Sequence, residues 1–273
     1  MGKVTEHKES GEIKACCATF YESDVVRMLL GDILHPGGLE LTVYLGQVMG
    51  LSPEDRVLDV ACGRGSSAVH LAKNFGCHVT GIDYGADNVT AAREYATTQG
   101  TSHLTIFQVG DAEGLPFDDS SFDAIISECS YCTFPDKMKA ASEMFRVLRP
   151  DGRTGITDMV VNGMLPEDIQ SILSWVSCIA GASSANEYVS QLQKAGFASF
   201  TIEDKRDALI EMVSGIRRKF LAVELASGLW EIDLGGIDLN KAKNLAQHAA
   251  EMIEKGVIGY ALIMARKRKT MLG

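Results

Sequence analysis

The sequence predicts a doubly wound α/β sheet. Three observations carry that expectation. Residues 56–60 (RVLDV) are an apolar, β-branched run that enters the small-residue turn Ala61-Cys62-Gly63-Arg64-Gly65, and residues 66–72 then place apolar side chains at helical spacing. Strand, glycine turn and helix is the nucleotide-binding entry of such a sheet. Downstream, short apolar runs of strand length alternate with amphipathic stretches of helix length. The composition, 46% hydrophobic and 23% charged over 273 residues, suits one large domain, or a core with an added cap.

Ahead of the first strand, Val25, Val26, Leu29 and Leu30 mark one helix. His35-Pro36-Gly37-Gly38 breaks it, and Leu41, Tyr44, Leu45 and Val48 mark a second that ends near Gly50. This preface either covers a ligand crevice as a lid or simply packs on the sheet. Gly76 stops the helix after the glycine turn, and residues 77–83 form the second strand with Asp83 at its carboxyl end. Asp87 or Asn88 is expected to cap the next helix, which ends at Gly100. Strands are expected at 104–109, 123–127 and 154–159, with a helix over 136–148 between the last two and a turn at Pro150-Asp151-Gly152. A further helix is expected over 168–177. Ser184-x-x-Glu187 is a capping box that opens another, closed by Gly196. Strand six spans 200–203, two amphipathic helices occupy 207–227 and 239–255, and the last strand runs over 259–265. The expected organisation is a leader and helical lid over 1–50, a cofactor-binding core over 51–205, and a helical insert with the final strand of the same domain over 206–273.

A net charge of −10 argues against a general nucleic-acid or anionic-membrane surface, which needs clustered Lys and Arg. The basic run Arg266-Lys267-Arg268-Lys269 reads as a solvated tail. No apolar stretch approaches the roughly 18–20 residues of a membrane span, and the polar stretch MGKVTEHKESGEIK contains no apolar signal core. The expected location is cytoplasmic, with no nucleic-acid or membrane partner. Seven cysteines, odd in number and irregularly spaced, do not read as a disulfide framework. Cys62 in the tight turn and Cys77 at a strand start read as structural.

Gly63-x-Gly65-x-x-Ala68 fits a dinucleotide fingerprint, and Asp83 stands where a ribose-binding acid is found. Asp59, four positions ahead of Gly63, argues against NAD, because a carboxylate beside the loop repels a pyrophosphate. S-adenosylmethionine (SAM) brings an ammonium and a sulfonium instead. SAM is therefore the expected cofactor.

With those residues in view, the chain resembles the class I SAM-dependent methyltransferases over roughly residues 51–205 and again at the last strand. The likeness is carried by VLDVACGRG, the acid of GIDYG, GDAEGLPF, FDAIIS and RVLRPDG. It implies a Rossmann-like, seven-stranded, mostly parallel sheet with an antiparallel last strand. It also implies Gly63 and Gly65 at the methionine moiety, Asp83 at the ribose, and Asp111 with Ala112 at the adenine. A narrower likeness is to arsenite methyltransferases. The segment SECSYCTFPDK resembles their S-N-C-x-x-N-L-x-P-D-K and puts Cys129 on the substrate-binding cysteine. The segment CIAGASSANEYVSQLQKAGF resembles their second cysteine element and puts Cys178 on the other. Cys16-Cys17 could supply a further thiol.

The chain departs from that pattern in two places. Ser66 and Ser67 occupy a region where members of that family often carry a cysteine, and Cys132 replaces the Asn. Cys132 is then either a spare arsenic ligand or passive packing. Cys129-x-x-Cys132 has no second pair or nearby His pair to complete a zinc site, so no resident metal is expected. Trivalent arsenic is soft and thiophilic. The implied reaction has its lone pair attack the SAM methyl while Cys129 and Cys178 hold it, with a thiol co-substrate and no general base. If the acceptor is carbon, oxygen or nitrogen of a small metabolite such as a quinone or lipid precursor, a base is needed, and Tyr131, Glu128, His35 and Asp158 are the candidates. A third reading is a non-catalytic SAM- or metalloid-binding protein.

Overall fold

A computed structural model describes residues 35–165, 179, 181–227 and 239–268. Cys16, Cys17 and Cys178, together with the helices expected around Val25–Leu30 and over 168–177, lie outside the described residues. The elements are α1 (Gly38–Met49), β1 (Arg56–Val60), α2 (Ser66–Phe75), β2 (His78–Asp83), α3 (Ala86–Thr98), β3 (Thr105–Val109), β4 (Phe122–Glu128), a 3₁₀ turn (Tyr131–Thr133), α4 (Lys137–Val147), β5 (Leu148–Val161), α5 (Ala185–Ala195), β6 (Phe197–Asp204), α6 (Arg206–Ser227), α7 (Leu239–Glu254) and β7 (Ile258–Lys267).

The strands form one seven-stranded sheet in the order β3-β2-β1-β4-β5-β7-β6. The pairings from β3 through β5 are parallel, and β7 runs antiparallel to both β5 and β6. The expected architecture therefore holds. Its centre is buried on both faces: Val57, Leu58 and Val60 of β1 and Ala124, Ile125 and Ile126 of β4 are all inaccessible to solvent. That explains why these strands read as continuous apolar runs instead of alternating ones. The strand order reverses between β1 and β4, and a ligand crevice opens outside the carboxyl ends of the strands at such a point. α6 and α7 lie against each other and against β7.

Several local expectations are corrected. Neither Asp87 nor Asn88 caps α3; the N-cap is Gly85, and the Asn88 amide turns to Asp83 instead. The Pro150-Asp151-Gly152 turn lies inside β5 as a kink, with Asp151 at φ 63° and a register shift against β4 between Phe122 and Ala124. The basic run is not wholly a solvated tail, since Arg266 and Lys267 belong to β7. Lys267 Nζ donates to the carbonyls of Phe145 and Leu148, both at 2.7 Å, closing the carboxyl end of α4. The Ser184–Glu187 capping box forms as expected, and Gly196 at φ 112° ends α5. Among the described residues no helix is long and apolar enough to cross a membrane.

Candidate active site

At the carboxyl end of β1 the chain turns through Ala61 (φ 60°), Gly63 (φ 52°) and Gly65 (φ 79°), all left-handed. The two glycines have different work. A Cβ at Gly65 would come within 2.9 Å of Ala92 and of the Phe107 ring, so this position lets α2 begin close against α3 and β3. A Cβ at Gly63 would meet nothing within 4 Å among the described residues, and Gly63 lines an open cleft. The loop is pinned by Asp83 at the end of β2. Its carboxylate accepts the Gly63 N–H at 2.8 Å, the Gly85 N–H at 2.8 Å and the Asn88 amide at 3.1 Å.

The cleft holds about 1200 Å³ of empty volume, its open mouth included. Of the residues singled out in the sequence, Asp59, Gly63, Asp83, Asp111, Ala112 and Cys129 all line it. Gly65 and Cys132 do not. Asp59 is 2% exposed, and among the described residues its Oδ2 has no hydrogen-bond partner. Burial, then the neighbouring Glu128 and Asp83 carboxylates, push its carboxyl well above the ordinary carboxylate range. Asp111 shapes the turn after β3, with its Oδ1 accepting the Glu113 N–H at 2.9 Å and its carbonyl accepting the Gly114 N–H at 3.0 Å.

The thiols divide by position. Cys129 follows β4 in a left-handed conformation (φ 52°), its N–H donating to the Thr157 carbonyl at 2.7 Å, and it lines the cleft. Cys132 is fully buried in the 3₁₀ turn, its N–H donating to Asp158 Oδ2 at 2.9 Å. Cys62 lines the cleft, but burial and the nearby Asp59 and Asp83 carboxylates push its thiol far up, which suits a packing role.

One group was not legible as a group in the sequence. His35, Thr42, Ser67 and Glu128, from the loop before α1, α1 itself, α2 and β4, come together, and His35, Ser67 and Glu128 line the cleft. Thr42 Oγ1 donates to Glu128 Oε2 at 2.9 Å, and His35 Nε2 lies 3.8 Å from the same oxygen and 3.5 Å from Ser67 Oγ. The other two candidate bases point elsewhere. Tyr131 is buried, its OH donating to the Lys137 carbonyl at 3.0 Å, and Asp158 accepts the N–H groups of Cys132 and Met159. Only the spacing of His35 to the Pro36-Gly37 turn hinted at this arrangement: Gly37 at φ 80° and the bond from the Gly38 N–H to the His35 carbonyl make a type II turn that fixes where the imidazole starts.

Residues 51–196 match a family model described as a methyltransferase domain. The chain belongs to this methyltransferase family. Among curated relatives, the methyltransferase is 38% identical over 142 residues to an uncharacterized protein of Haemophilus influenzae, covering 51% of this chain and 55% of that one. It is 32% identical over 167 residues to an arsenite methyltransferase of Halobacterium salinarum, covering 60% of this chain and 42% of the relative. The chain thus spans about half the length of these two relatives. Over 262 residues it is 28% identical to the 27-O-demethylrifamycin SV methyltransferase of Amycolatopsis mediterranei, covering 90% and 93% of the two chains. Two solved structures share the fold. A phosphoethanolamine N-methyltransferase of Haemonchus contortus has a TM-score of 0.77 at 20% identity, covering 90% of this chain and 56% of that chain. The geranyl diphosphate C-methyltransferase of Streptomyces coelicolor has a TM-score of 0.72 at 18% identity, covering 93% and 98%.

Proposed function

We propose that this methyltransferase uses SAM to methylate a small organic acceptor seated in the cleft where His35 and Glu128 meet. The observation that carries the cofactor assignment is the orphaned Oδ2 of Asp59, buried beside the glycine turn with the Glu128 and Asp83 carboxylates near it. Such a site is costly when empty and favours a cation with N–H donors. SAM meets that demand with its ammonium and, when bound, supplies an electrophilic methyl group on a sulfonium. Asp59 would accept from the ammonium, Gly63 would leave room for the methionine portion, Asp83 retains acceptor capacity for ribose hydroxyls, and Asp111 with Ala112 would flank the adenine.

The rifamycin relative supports an organic acceptor, because its likeness extends over nine tenths of both chains, including segments outside the cofactor core. Arsenite is the second reading. It is favoured by Cys129, which lines the same cleft, and by the Halobacterium relative. The deciding experiment is transfer from methyl-labelled SAM to a panel of phenol, N,N-dimethylaniline, and arsenite with glutathione. Label in an organic product is the expected result. Label in methylated arsenic alone would replace the first reading by the second, and no detectable SAM binding by titration calorimetry would end both.

A further inference from the structure

We infer that His35 and Glu128 form the proton-accepting pair of the active site, which makes the acceptor a nucleophile that must shed a proton, such as a hydroxyl. The inference rests on the organic-acceptor reading above and gives it a substrate class. Both side chains are nearly sealed from bulk solvent, at 7% and 4% exposure, yet both line the cleft. A carboxylate and an imidazole are expensive to bury. Among the described residues, the Glu128 carboxylate receives one short bond, from Thr42 at 2.9 Å, and a long one from Thr157 at 3.5 Å, beside the His35 ring. Among the described residues, the other charged or titratable groups that face them from neighbouring elements bring no fixed positive charge to the carboxylate. These are Asp59 from β1, Cys129 after β4, and Tyr260 of β7, whose OH donates to Thr157 Oγ1 at 3.1 Å. A packing role would be better filled by apolar side chains of the same size.

Geometry assigns the parts. His35 Nδ1 lies 3.4 Å from the Pro36 carbonyl, and in the proposed resting state it carries the ring proton, so that Nε2 is the acceptor. In the proposed step the acceptor oxygen forms its bond to the methyl group as the methyl–sulfonium bond breaks, and the electron pair of that bond stays on sulfur as a neutral thioether. The oxygen's proton passes to His35 Nε2. The positive charge lost at sulfur reappears on the imidazolium, 3.8 Å from Glu128 Oε2. Glu128 is thus placed as the counter-ion of that imidazolium, and Thr42 and Ser67 position the pair. No oxidant, reductant or further co-reactant is required.

The test compares phenol, which loses a proton on methylation, with N,N-dimethylaniline, which does not. Turnover of each is measured for the parent, His35→Gln and Glu128→Gln, with SAM affinity by calorimetry and thermal midpoints as folding controls. General-base catalysis is worth roughly 10²–10⁴-fold, so the phenol-to-dimethylaniline ratio is expected to fall about 100-fold or more in both variants. A ratio unchanged in both variants overturns the pair, because a purely structural role lowers both activities alike. A parent enzyme that methylates only the tertiary amine also overturns it. A parent that binds SAM but methylates neither compound defeats the organic-acceptor reading itself, and the pair with it. If Glu128→Gln does not fold, His35→Gln decides by the same ratio.

Discussion

Replacing each loop glycine by alanine separates two roles that a glycine-rich motif merges. At Gly65 the added methyl meets Ala92 Cβ and two Phe107 ring atoms at 2.9 Å, and the backbone sits at φ 79°. A left-handed L-residue costs about 1–2 kcal/mol. Forcing a methyl into a packed contact costs about 1–3 kcal/mol more. The sum is about 2–5 kcal/mol, and at ~2–4 °C per kcal/mol for a chain of this class the thermal midpoint of Gly65→Ala should fall by on the order of 10 °C. At Gly63 the backbone cost is similar (φ 52°), but nothing among the described residues lies within 4 Å. With the backbone cost alone, and despite the stiffer unfolded chain that both variants share, Gly63→Ala should lose about 1–2 kcal/mol. Its deficit belongs to the ligand, since the methyl stands in the cleft, and SAM affinity should fall at least tenfold. Urea denaturation and titration calorimetry on both variants measure this. Equal destabilisation, or the larger loss at Gly63, would refute the assignment of packing to one glycine and ligand approach to the other.

Asp59→Asn should stabilise the ligand-free protein at neutral pH while lowering SAM affinity at least tenfold. Because burial raises the Asp59 pKa, the folded state binds its proton more tightly than the unfolded state does. Stability of the parent therefore declines as pH rises from the ordinary carboxylate range through the raised folded value, and a denaturation series against pH should be flatter in the variant. Cys132→Ser exchanges a fully buried thiol for a hydroxyl, at a cost of about 1–3 kcal/mol in urea denaturation. If the thiol were a needed arsenic ligand, arsenite methylation would vanish as well. Lys267→Met removes two charge-assisted bonds to the end of α4, and with its partial exposure the expected loss is about 2 kcal/mol, or ~4–8 °C in thermal midpoint.

The sheet and the family of its amino-terminal half were readable because their signals are local. RVLDV is buried on both faces of a parallel sheet, so its apolar run survives as a pattern. The capping box at Ser184 is a four-residue motif that needs no partner beyond its own helix. What failed was non-local. Lys267 looked like part of a solvated run because nothing in ARKRK reveals two carbonyls across the sheet at Phe145 and Leu148. Asp87 and Asn88 looked like caps because their residue types fit, but the Asn88 amide is drawn to Asp83 by the folding of the next loop. Asp83 itself was assigned one role, ribose binding, and the structure adds another: it holds the glycine turn it faces. His35 and Glu128 are 93 positions apart and meet only because α1 packs on α2 and β5 and brings Thr42 to Glu128, a packing choice that no short motif encodes.

The choice of acceptor turns on two consecutive residues. Glu128 ends β4, Cys129 follows it in a left-handed conformation, and both line the cleft. That conformation costs a non-glycine residue about 1–2 kcal/mol, and glycine would adopt it without strain. Cys129→Gly therefore keeps the backbone that presents Glu128 and deletes only the thiol. The relieved strain offsets glycine's extra unfolded-state freedom of roughly 0.5–1 kcal/mol, so the thermal midpoint should move by only a few degrees. The informative quantity is the ratio of arsenite to phenol methylation. If carboxylate and thiol serve separate chemistries, the ratio collapses in Cys129→Gly and rises in Glu128→Gln. If both variants lower both activities in step, Glu128 and Cys129 serve the same chemistry, and the proton-accepting pair cannot be what distinguishes this cleft.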